Sequence, residues 1–388
     1  MLEHLSNWMY SGLAIGFSYC FMLRQGTAGI MIFCTFSFPS HTLNIYDDRK
    51  ERSFGIMRKI LAPVLFVFTA AALLAGCKKN TESSLTPVTL NEVAHSIFYA
   101  PQYAAIELGY FKDEGIDLTL VNGAGADKVM TALVSGDADI GFMGSEASIY
   151  TYIQGDDDYA VNFAQLTQRA GNFLVGRTPE ADFKWENLIG KKVLGGRAGG
   201  MPQMVFEYIL KKNGIDPAKD LTIDQSISFG LTAAAFTSND FDYTVEFEPF
   251  ATALEQEGNG YVVASLGKDS GYVPYTAYSA KKSYLEKHPE IIQKFTNAIQ
   301  KGLDYVNTHS AEEIAETIKP QFKETDTEKI AIIVDRYKEQ DTWKGNTIFE
   351  KESFELLENI LEEAGELDTR VPYEDLVNTG FAKAAAGK

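Results

Sequence analysis

The chain has 388 residues, of which 45% are hydrophobic and 23% charged, and a formal net charge of −18. This length fits two domains, and the composition excludes a disordered chain, a collagen and a polytopic membrane protein. The acidic excess repels phosphate backbones and argues against nucleic-acid binding. The three cysteines, Cys20, Cys34 and Cys77, have no metal-type CxxC spacing and exclude a disulfide scaffold.

Residues 1–56 carry scattered apolar side chains without a clean periodicity. We interpret them as a translated leader, with Met57 as the true start. The codons for residues 51–53 (Glu-Arg-Ser) can contain a ribosome-binding sequence a short distance before Met57. The alternative is a genuine membrane segment around residues 13–38. Residues 1–56 are therefore left out of the fold prediction.

Residues 57–76 have the features of a signal peptide. Arg58 and Lys59 precede an apolar run, which ends in Leu-Ala-Gly before Cys77. This string resembles the bacterial lipobox, which implies that Cys77 is lipidated and anchors an exported protein to the outer face of the cell membrane. The alternatives are a plain signal peptide or an uncut membrane anchor.

Polar residues 77–86 are predicted to form a tether between the anchor and the folded body. From Val88 onward, short β-like runs alternate with helical segments, which is typical of βαβ units with a mostly parallel sheet. The first lobe is predicted to span residues 87–168. Its strands are predicted at 88–90, 116–121, 138–143 and 161–166, and its helices at 101–108, 127–135 and 146–154.

The βα pattern restarts after residue 168, which predicts a second α/β lobe over residues 169–274. Residues 275–388 are predicted to return to the first lobe, through a strand at 275–279, and to continue as helices. Two lobes joined by two crossings enclose a cleft that strand-to-helix loops would line. This geometry is that of a hinged binder.

Five blocks of the sequence, in this order, resemble a known family. The first, at 95–121, reads HSIFYAPQYAAIELGYFKDEGIDLTLV, and the others lie at 134–141, 187–193, 247–250 and 287–290. They resemble the substrate-binding proteins of ABC importers for sulfonates, nitrate and thiamine-type pyrimidines. The resemblance implies a type II periplasmic-binding-protein-like fold, with two Rossmann-like lobes around a ligand cleft and a helical C-terminal region.

The same resemblance implies a function. A monomer would close around a small solute, without a cofactor or metal, and would deliver it to a permease and its ATPase. Family membership does not choose among the solutes.

Candidate ligand contacts begin after the first strand with His95, Phe98 and Tyr99. Aromatic faces at this position could stack on a flat ligand, and the histidine could bond to the ligand or respond to acidity. The alternatives are that the rings pack in the core and that His95 is a satisfied histidine at a strand end.

Two further loops of the first lobe contain small residues. Gly123 and Ala124 precede a helix, where a ligand could approach backbone N–H groups. Gly144, Ser145 and Glu146 follow the third strand. Ser145 is a plausible N-cap and Glu146 suits the first helical turn, whereas the functional alternative is a carboxylate that faces the cleft.

In the second lobe, residues 195–202 form a glycine-rich loop before a helix that begins near Pro202. Backbone N–H groups at Gly199 and Gly200, together with Arg197, could hold an anionic or carbonyl group. Met201 could supply an adaptable apolar contact. For Arg197, the alternative is a surface ion pair.

Glu246 and Glu248 flank Phe247 at a strand end, and alternation puts them on one side if the segment is extended. Such carboxylates could bind the amino groups of a heterocycle. They would repel a sulfonate or nitrate unless they were bonded to Arg169 or Arg197. Thr276 lies near the returning crossing and completes the candidate set.

An enzyme is the alternative to a binder. The superfamily includes a eukaryotic thiamine-pyrimidine synthase whose reactive histidine lies four residues before the tyrosine of the first helix. Tyr99 occupies that place here, and the cysteine-rich iron motif is absent. No Ser-His-Asp triad, HExxH motif or nucleophile elbow occurs either, so the chain is predicted not to be an enzyme. A sensor or adhesin that binds solute without transport stays open.

The sequence therefore predicts the solute-binding component of an ABC importer. The 12% aromatic content and the net charge of −20 for residues 77–388 favour a small nitrogen heterocycle of the thiamine-pyrimidine type. The alternative ligand is an alkanesulfonate or nitrate-like anion at the glycine-rich loop and Arg197.

Overall fold

A computed structural model describes residues 85–228 and 230–387. The predictions for the leader, the signal peptide, the lipidated Cys77 and nearly all of the tether lie outside the described residues. Within the described ranges, no helix has both the length and the apolar character that a membrane crossing requires.

The first lobe is built on a five-stranded sheet in the order β2-β1-β3-β10-β4. Strands β1 to β3 are parallel, whereas β10 runs antiparallel to both of its neighbours, β3 and β4. The strands are β1 (Thr86–Glu92), β2 (Ile116–Asn122), β3 (Ile140–Gly144), β4 (Ala160–Thr167) and β10 (Thr276–Lys281).

The second lobe repeats this plan with a five-stranded sheet in the order β7-β6-β8-β5-β9. Here β6 is parallel to β7 and β8, and β5 runs antiparallel to β8 and β9. The strands are β5 (Phe173–Gly176), β6 (Lys192–Leu194), β7 (Thr222–Asp224), β8 (Tyr243–Glu246) and β9 (Tyr261–Ser265).

The reversed strand of each sheet is the one that follows a crossing between the lobes. The chain leaves lobe 1 after Thr167 and enters lobe 2 as β5; it leaves lobe 2 after Ser265 and returns as β10. Because each crossing starts at the edge where parallel strands end, the entering strand must run away from that edge. The predicted mostly parallel sheets therefore each contain one antiparallel strand, and β5 was not predicted at all.

Helices cover both sheets. The first lobe contains α1 (Ala100–Glu107), α2 (Tyr110–Asp113), α3 (Ala126–Ser135) and α4 (Glu146–Ile153). The second lobe contains α5 (Met201–Lys212), α6 (Thr232–Ser238), α7 (Phe250–Gln256) and α8 (Leu266–Ser270). The C-terminal region contributes α9 (Lys282–Lys287), α10 (Pro289–Thr308), α11 (Ala311–Ile318), α12 (Thr327–Glu339), α13 (Lys351–Ala364), α14 (Tyr373–Leu376) and α15 (Gly380–Ala385). Short 3-10 turns lie at Ile97–Tyr99, Trp185–Leu188 and Lys319–Gln321.

The C-terminal helices connect to both lobes. Helices α10 and α11 pack on α1 of the first lobe, whereas α13 packs on α5 of the second. The apolar faces of these helices are buried, as expected for amphipathic helices that lie on a sheet-based core. Helix α11 begins with a capping box between Ser310 and Glu313.

Candidate ligand-binding cleft

The sheet edges at which the parallel strands end face each other across the lobe boundary. The Tyr150 hydroxyl of α4 donates a 3.1 Å hydrogen bond to the carbonyl oxygen of Gly199 in the second lobe. Nearer the crossings, the Ser96 hydroxyl donates to the carbonyl oxygen of Glu248 at 3.2 Å. Loops that follow β1, β3, β6 and β8 therefore meet, which is where open α/β sheets bind ligands.

Glu146 is a buried carboxylate at this boundary. It is the first residue of α4, is only 3% exposed, and its Oε2 has no hydrogen-bond partner among the described residues. Its carboxylate folds back over Gly144, where an added Cβ atom would overlap both oxygens. Burial raises the pKa of Glu146 to about 7, although Arg197 and the backbone amide of Met201 act in the opposite direction. A buried oxygen without a partner is what a ligand donor would satisfy.

The start of α5 lies opposite Glu146, in the predicted glycine-rich loop. Gly199 has a left-handed backbone (φ 68°), Gly200 is extended, and no side chain caps the first amides of the helix. The Arg197 side chain is 59% exposed and lies 3.9 Å from the Asp127 carboxylate of α3. The structure thus brings Arg197, Gly199–Met201 and Glu146 together, with positive partial charge from the helix start facing the carboxylate.

Ser145 occupies the N-cap position of α4, as predicted, and Glu146 lies in the first turn, but the Ser145 side chain caps no helix amide. Its hydroxyl donates to the carbonyl oxygen of Pro274 on the second crossing, and its own carbonyl accepts from Ser148. Ser145 therefore ties the loop after β3 to the segment that returns from the second lobe.

The aromatic candidates lie in the 3-10 turn between β1 and α1. Phe98 is fully buried, with ring centroids 5.7 Å from Tyr275 and 5.9 Å from Phe247, so it packs between the lobes. Tyr99 is 3% exposed and its ring contacts Phe142 edge-on at 4.5 Å. Burial, assisted by nearby carboxylates, raises the pKa of Tyr99 well above its usual value. Its hydroxyl therefore stays protonated and is available as a donor.

His95 lies at the exposed end of a polar network around the buried Glu92 carboxylate. Its Nδ1 lies 2.8 Å from Glu92 Oε1 and its Nε2 lies 3.0 Å from the carbonyl oxygen of Gln321. The second carboxylate oxygen of Glu92 accepts bonds from Gln102 and Tyr103. The structure therefore places His95 as a connector between β1 and the C-terminal helices.

Gly123 and Ala124 form a tight turn in which the amides already have partners. The Gly123 amide donates to the Glu92 carbonyl oxygen at 2.8 Å, and the Ala124 amide donates to Asn122 Oδ1 at 2.9 Å. Beside the turn, Asn91 Oδ1 is buried without a hydrogen-bond partner in the described part of the chain. A ligand at this turn would therefore meet the Asn91 side chain rather than these two amides.

Both carboxylate oxygens of Glu248 accept hydrogen bonds from protein groups. Its Oε1 accepts a 2.6 Å bond from Arg336 of α12, and its Oε2 accepts a 2.9 Å bond from the Thr252 amide. Arg336 also bonds Glu255 Oε2 at 2.7 Å. Burial raises the pKa of Glu248, with Arg336 acting in the opposite direction. This carboxylate joins the second lobe to the C-terminal helices.

Glu246 does not share the surroundings of Glu248, because β8 ends at residue 246 and the chain turns. It accepts hydroxyl bonds from Thr232 at 2.9 Å and Thr244 at 2.7 Å. Burial raises its pKa to about 7. Each oxygen retains capacity for another donor, since a carboxylate oxygen can accept two.

Arg169 and Thr276 lie at the crossings. The Arg169 guanidinium stacks over the Tyr272 ring at 4.2 Å and donates to the Gly267 carbonyl oxygen at 3.0 Å. The hydroxyls of Thr276 and Thr167 are 2.5 Å apart. Both side chains thus have partners within or between the crossings, although Arg169 Nε is buried without a hydrogen-bond partner among the described residues.

Sequence reasoning missed two residues at the boundary, Tyr150 and Asp127. Tyr150 lies four residues after Glu146 on α4, a spacing that puts both on one helix face and could have identified it. Asp127 lies in the first turn of α3, where a carboxylate is also explained by the helix dipole.

Residues 97–313, more than half of the chain, match the family described as NMT1/THI5 like. The chain belongs to this family. The NMT1/THI5-like chain is 46% identical to Bacillus subtilis (strain 168) YtlA, whose name describes it as a binding protein, over 80% of this chain and 92% of YtlA. It is 26% identical to the Saccharomyces cerevisiae 4-amino-5-hydroxymethyl-2-methylpyrimidine phosphate synthase THI11, over 54% of this chain and 63% of that protein.

The fold of the NMT1/THI5-like protein is similar to that of a solved binding protein. The ligand-binding component of an ABC-type import system from Staphylococcus aureus, with zinc bound, superposes with a TM-score of 0.63 at 15% identity, over 77% of this chain and 99% of that chain. The predicted family and the two-lobed α/β fold are thereby confirmed. Across residues 85–228 and 230–387, no group of three or more His, Cys, Asp or Glu side chains is arranged to hold a metal ion.

Proposed function

We propose that this protein is the solute-binding component of an ABC importer and captures a small nitrogen heterocycle of the thiamine-pyrimidine type. The relative that is 46% identical is named a binding protein, and the fold is similar to that of an ABC-type ligand-binding component. The protein would be exported and held at the outer face of the cell membrane through Cys77, with a permease and its ATPase as partners.

The proposed ligand class rests on the unpartnered carboxylate oxygen of Glu146. It is buried at the lobe boundary, and its Oε2 lacks a donor within the described residues. An amino group or a ring N–H of a heterocycle would supply that donor in a charge-assisted hydrogen bond. Tyr99, whose pKa is raised by burial and by the nearby Glu92 and Glu146 carboxylates, contributes an aromatic ring and a neutral hydroxyl on the same side of the boundary.

Closure follows from the way the site is divided between the lobes. Glu146 and Tyr99 belong to the first lobe, whereas Arg197 and Gly199–Met201 belong to the second. A ligand that contacts both sets binds the closed form more tightly than the open form and shifts the equilibrium toward closure. The closed form is what a permease would distinguish from the empty one.

An anion is the second candidate ligand. The uncapped start of α5 and the exposed Arg197 favour a sulfonate or nitrate-like group at the opposite wall of the cleft. An enzymatic role has less support, because the synthase relative is 26% identical whereas the binding protein is 46% identical.

A thermal-shift panel on the purified protein tests these assignments. The panel contains 4-amino-5-hydroxymethyl-2-methylpyrimidine, a flavin, ethanesulfonate, taurine, nitrate and bicarbonate. A ligand at 100 times its Kd stabilises the folded state by about 2.7 kcal/mol, which gives a measurable shift. We expect a shift with the pyrimidine that Glu146→Gln abolishes. Glu312→Gln changes an exposed glutamate in the first turn of α11 and serves as the matched control.

A thermal shift with ethanesulfonate or nitrate alone would mean that the ligand is an anion and not a heterocycle. A shift with the pyrimidine that survives in Glu146→Gln would keep the ligand class but remove Glu146 from its contacts.

A further inference from the structure

The start of α5 has the features of an anion site, yet a carboxylate of the protein faces it. Helix α5 has 12 residues, opens with Gly199 and Gly200, and has no side-chain cap on its first amides. Such a helix start attracts negative charge through its N–H groups and its dipole. Arg197 adds a full positive charge beside it.

Glu146 of the opposite lobe supplies the negative charge. The Met201 amide, which opens α5, and Arg197 both favour the ionised form of this carboxylate. Glu146 is 3% exposed, so its charge is not screened by bulk water, and its Oε2 has no partner among residues 85–228 and 230–387. An anionic solute that approached the helix start would therefore meet a buried like charge.

Gly144 determines where this carboxylate lies. A Cβ atom at residue 144 would overlap both carboxylate oxygens of Glu146, although the backbone of Gly144 has no positive φ that would require glycine. The absence of a side chain is what lets the carboxylate fold back toward the lobe boundary. Gly144 is thus a positioning residue for Glu146.

We propose that Glu146, positioned by Gly144, is the charge selector of the cleft: it occupies the anion-attracting start of α5 with its own carboxylate and excludes anionic solutes. This inference rests on the proposed binding function of the same cleft and adds the direction of its selectivity. A solute with N–H donors satisfies the free oxygen of Glu146, whereas a sulfonate is repelled by it. A family of binders could reverse its charge preference by changing this one side chain.

Isothermal titration of the full protein with two probes tests the selector. The probes are ethanesulfonate and 4-amino-5-hydroxymethyl-2-methylpyrimidine at pH 8.5, which is well above the pKa of about 7 that burial gives Glu146, so that its carboxylate is ionised. We expect Glu146→Gln to bind ethanesulfonate about tenfold or more tighter than the unchanged protein, because a like charge at the helix start is removed. The pyrimidine should bind at least about tenfold more weakly, since one charge-assisted bond is lost. An ethanesulfonate affinity that stays equal or falls in Glu146→Gln would overturn the proposal.

Gly144→Ala provides a second variant that keeps the charge but displaces it. We expect it to weaken pyrimidine binding, while Gly345→Ala, at a glycine where an added Cβ meets nothing within 4 Å, leaves both affinities unchanged. If circular dichroism shows that Glu146→Gln does not fold, the affinities of Gly144→Ala test the proposal instead. Affinities of Gly144→Ala that are unchanged for both probes would refute the role of Glu146 as the charge selector.

The two proposals fail in different ways. If the unchanged protein binds no pyrimidine but Glu146→Gln gains ethanesulfonate binding, the proposed ligand is wrong and the selector stands. If the unchanged protein binds the pyrimidine and Glu146→Gln gains no ethanesulfonate affinity, the selector is wrong and the proposed function stands.

Discussion

Two glutamates that follow strands on the facing edges of the two sheets differ in what surrounds them. Glu146 is 3% exposed and Glu248 is 1% exposed, so both carboxylates are removed from water. Both oxygens of Glu248 accept bonds from the protein, including an ion pair with Arg336, whereas Oε2 of Glu146 has no partner within the described residues. The difference separates a carboxylate used for structure from one available to a ligand.

Removing Arg336 should have the largest effect on stability. Arg336→Ala leaves the fully buried carboxylate of Glu248 without its cation, and breaking a buried pair in this way costs about 3 kcal/mol. Urea unfolding of the variant and the unchanged protein at pH 7.5 would measure the difference.

Lys219→Ala is the matched control for that experiment. Lys219 pairs with Asp216, but its side chain is 80% exposed, so its removal should leave the urea midpoint unchanged. Equal losses in the two variants would mean that burial does not distinguish the Glu248 pair from a surface pair.

Glu146→Gln should stabilise the protein at neutral and alkaline pH. Burial raises the pKa of Glu146 from 4.5 to about 7, so the unfolded chain releases this proton first as the pH rises. The folded protein therefore loses stability between pH 4.5 and 7, and the loss is complete above that range. Glutamine removes the loss, and we expect about 2 kcal/mol of added stability at pH 8 and almost none at pH 4.

The matched variant is Glu248→Gln, which should gain less stability at pH 8 than Glu146→Gln. Burial also raises the pKa of Glu248, but Arg336 acts in the opposite direction, and glutamine takes the anion away from that cation. Glu246, whose pKa is also raised to about 7, titrates in the same range in all three proteins, so the differences between them isolate Glu146 and Glu248. A Glu146→Gln variant that is less stable than the unchanged protein at pH 8 would contradict the comparison.

The sequence was sufficient to predict the order of the two lobes. Strand-helix alternation fixes which loops follow strands, and those loops meet at one edge of each sheet. The glycine-rich loop at 195–202 was therefore expected at the cleft from its position, whereas Glu146 was left open between a first-turn carboxylate and one that faces the cleft. The short strand β5 (Phe173–Gly176) was missed because four apolar residues carry no periodicity.

The distinction between Glu146 and Glu248 could not be predicted. Arg336 is 88 residues beyond Glu248, and its choice of partner depends on how α12 packs against α11 and the 3-10 turn at Ile97–Tyr99. Ser145 shows the same limit, because its hydroxyl selects the Pro274 carbonyl oxygen rather than the helix start next to it. Local sequence gives the available roles of a side chain, whereas distant packing decides among them.

His95 should give a smaller pH effect in a different range. The bond to Glu92 raises the pKa of His95, and both ring nitrogens face acceptors, a geometry that the imidazolium satisfies. Its contribution to stability is therefore full below about pH 6.5 and is lost as the pH rises through the higher folded-state pKa. The melting temperature of the unchanged protein should fall over that range relative to its value at pH 6.

His95→Gln should make this fall smaller, and the part that remains belongs to Glu146 and Glu246, whose pKa values are about 7. The contribution of His95 is smaller than that of Glu146 because the His95 side chain is 32% exposed. A fall of the same size in His95→Gln and the unchanged protein would mean that His95 does not contribute to it.

Tyr150→Phe should have the smallest effect and should act on binding. The lost 3.1 Å bond to the Gly199 carbonyl oxygen joins the lobes only when they are close, so its removal lowers the population of the closed form. One neutral hydrogen bond corresponds to an affinity loss of about two- to tenfold for the pyrimidine, measured by titration calorimetry. Tyr152→Phe loses a hydroxyl bond to Asp375, away from the cleft, and should leave the affinity unchanged. Equal losses of affinity in Tyr150→Phe and Tyr152→Phe would mean that the Tyr150 bond stabilises the fold in general. The bond would then have no specific role in closing the cleft.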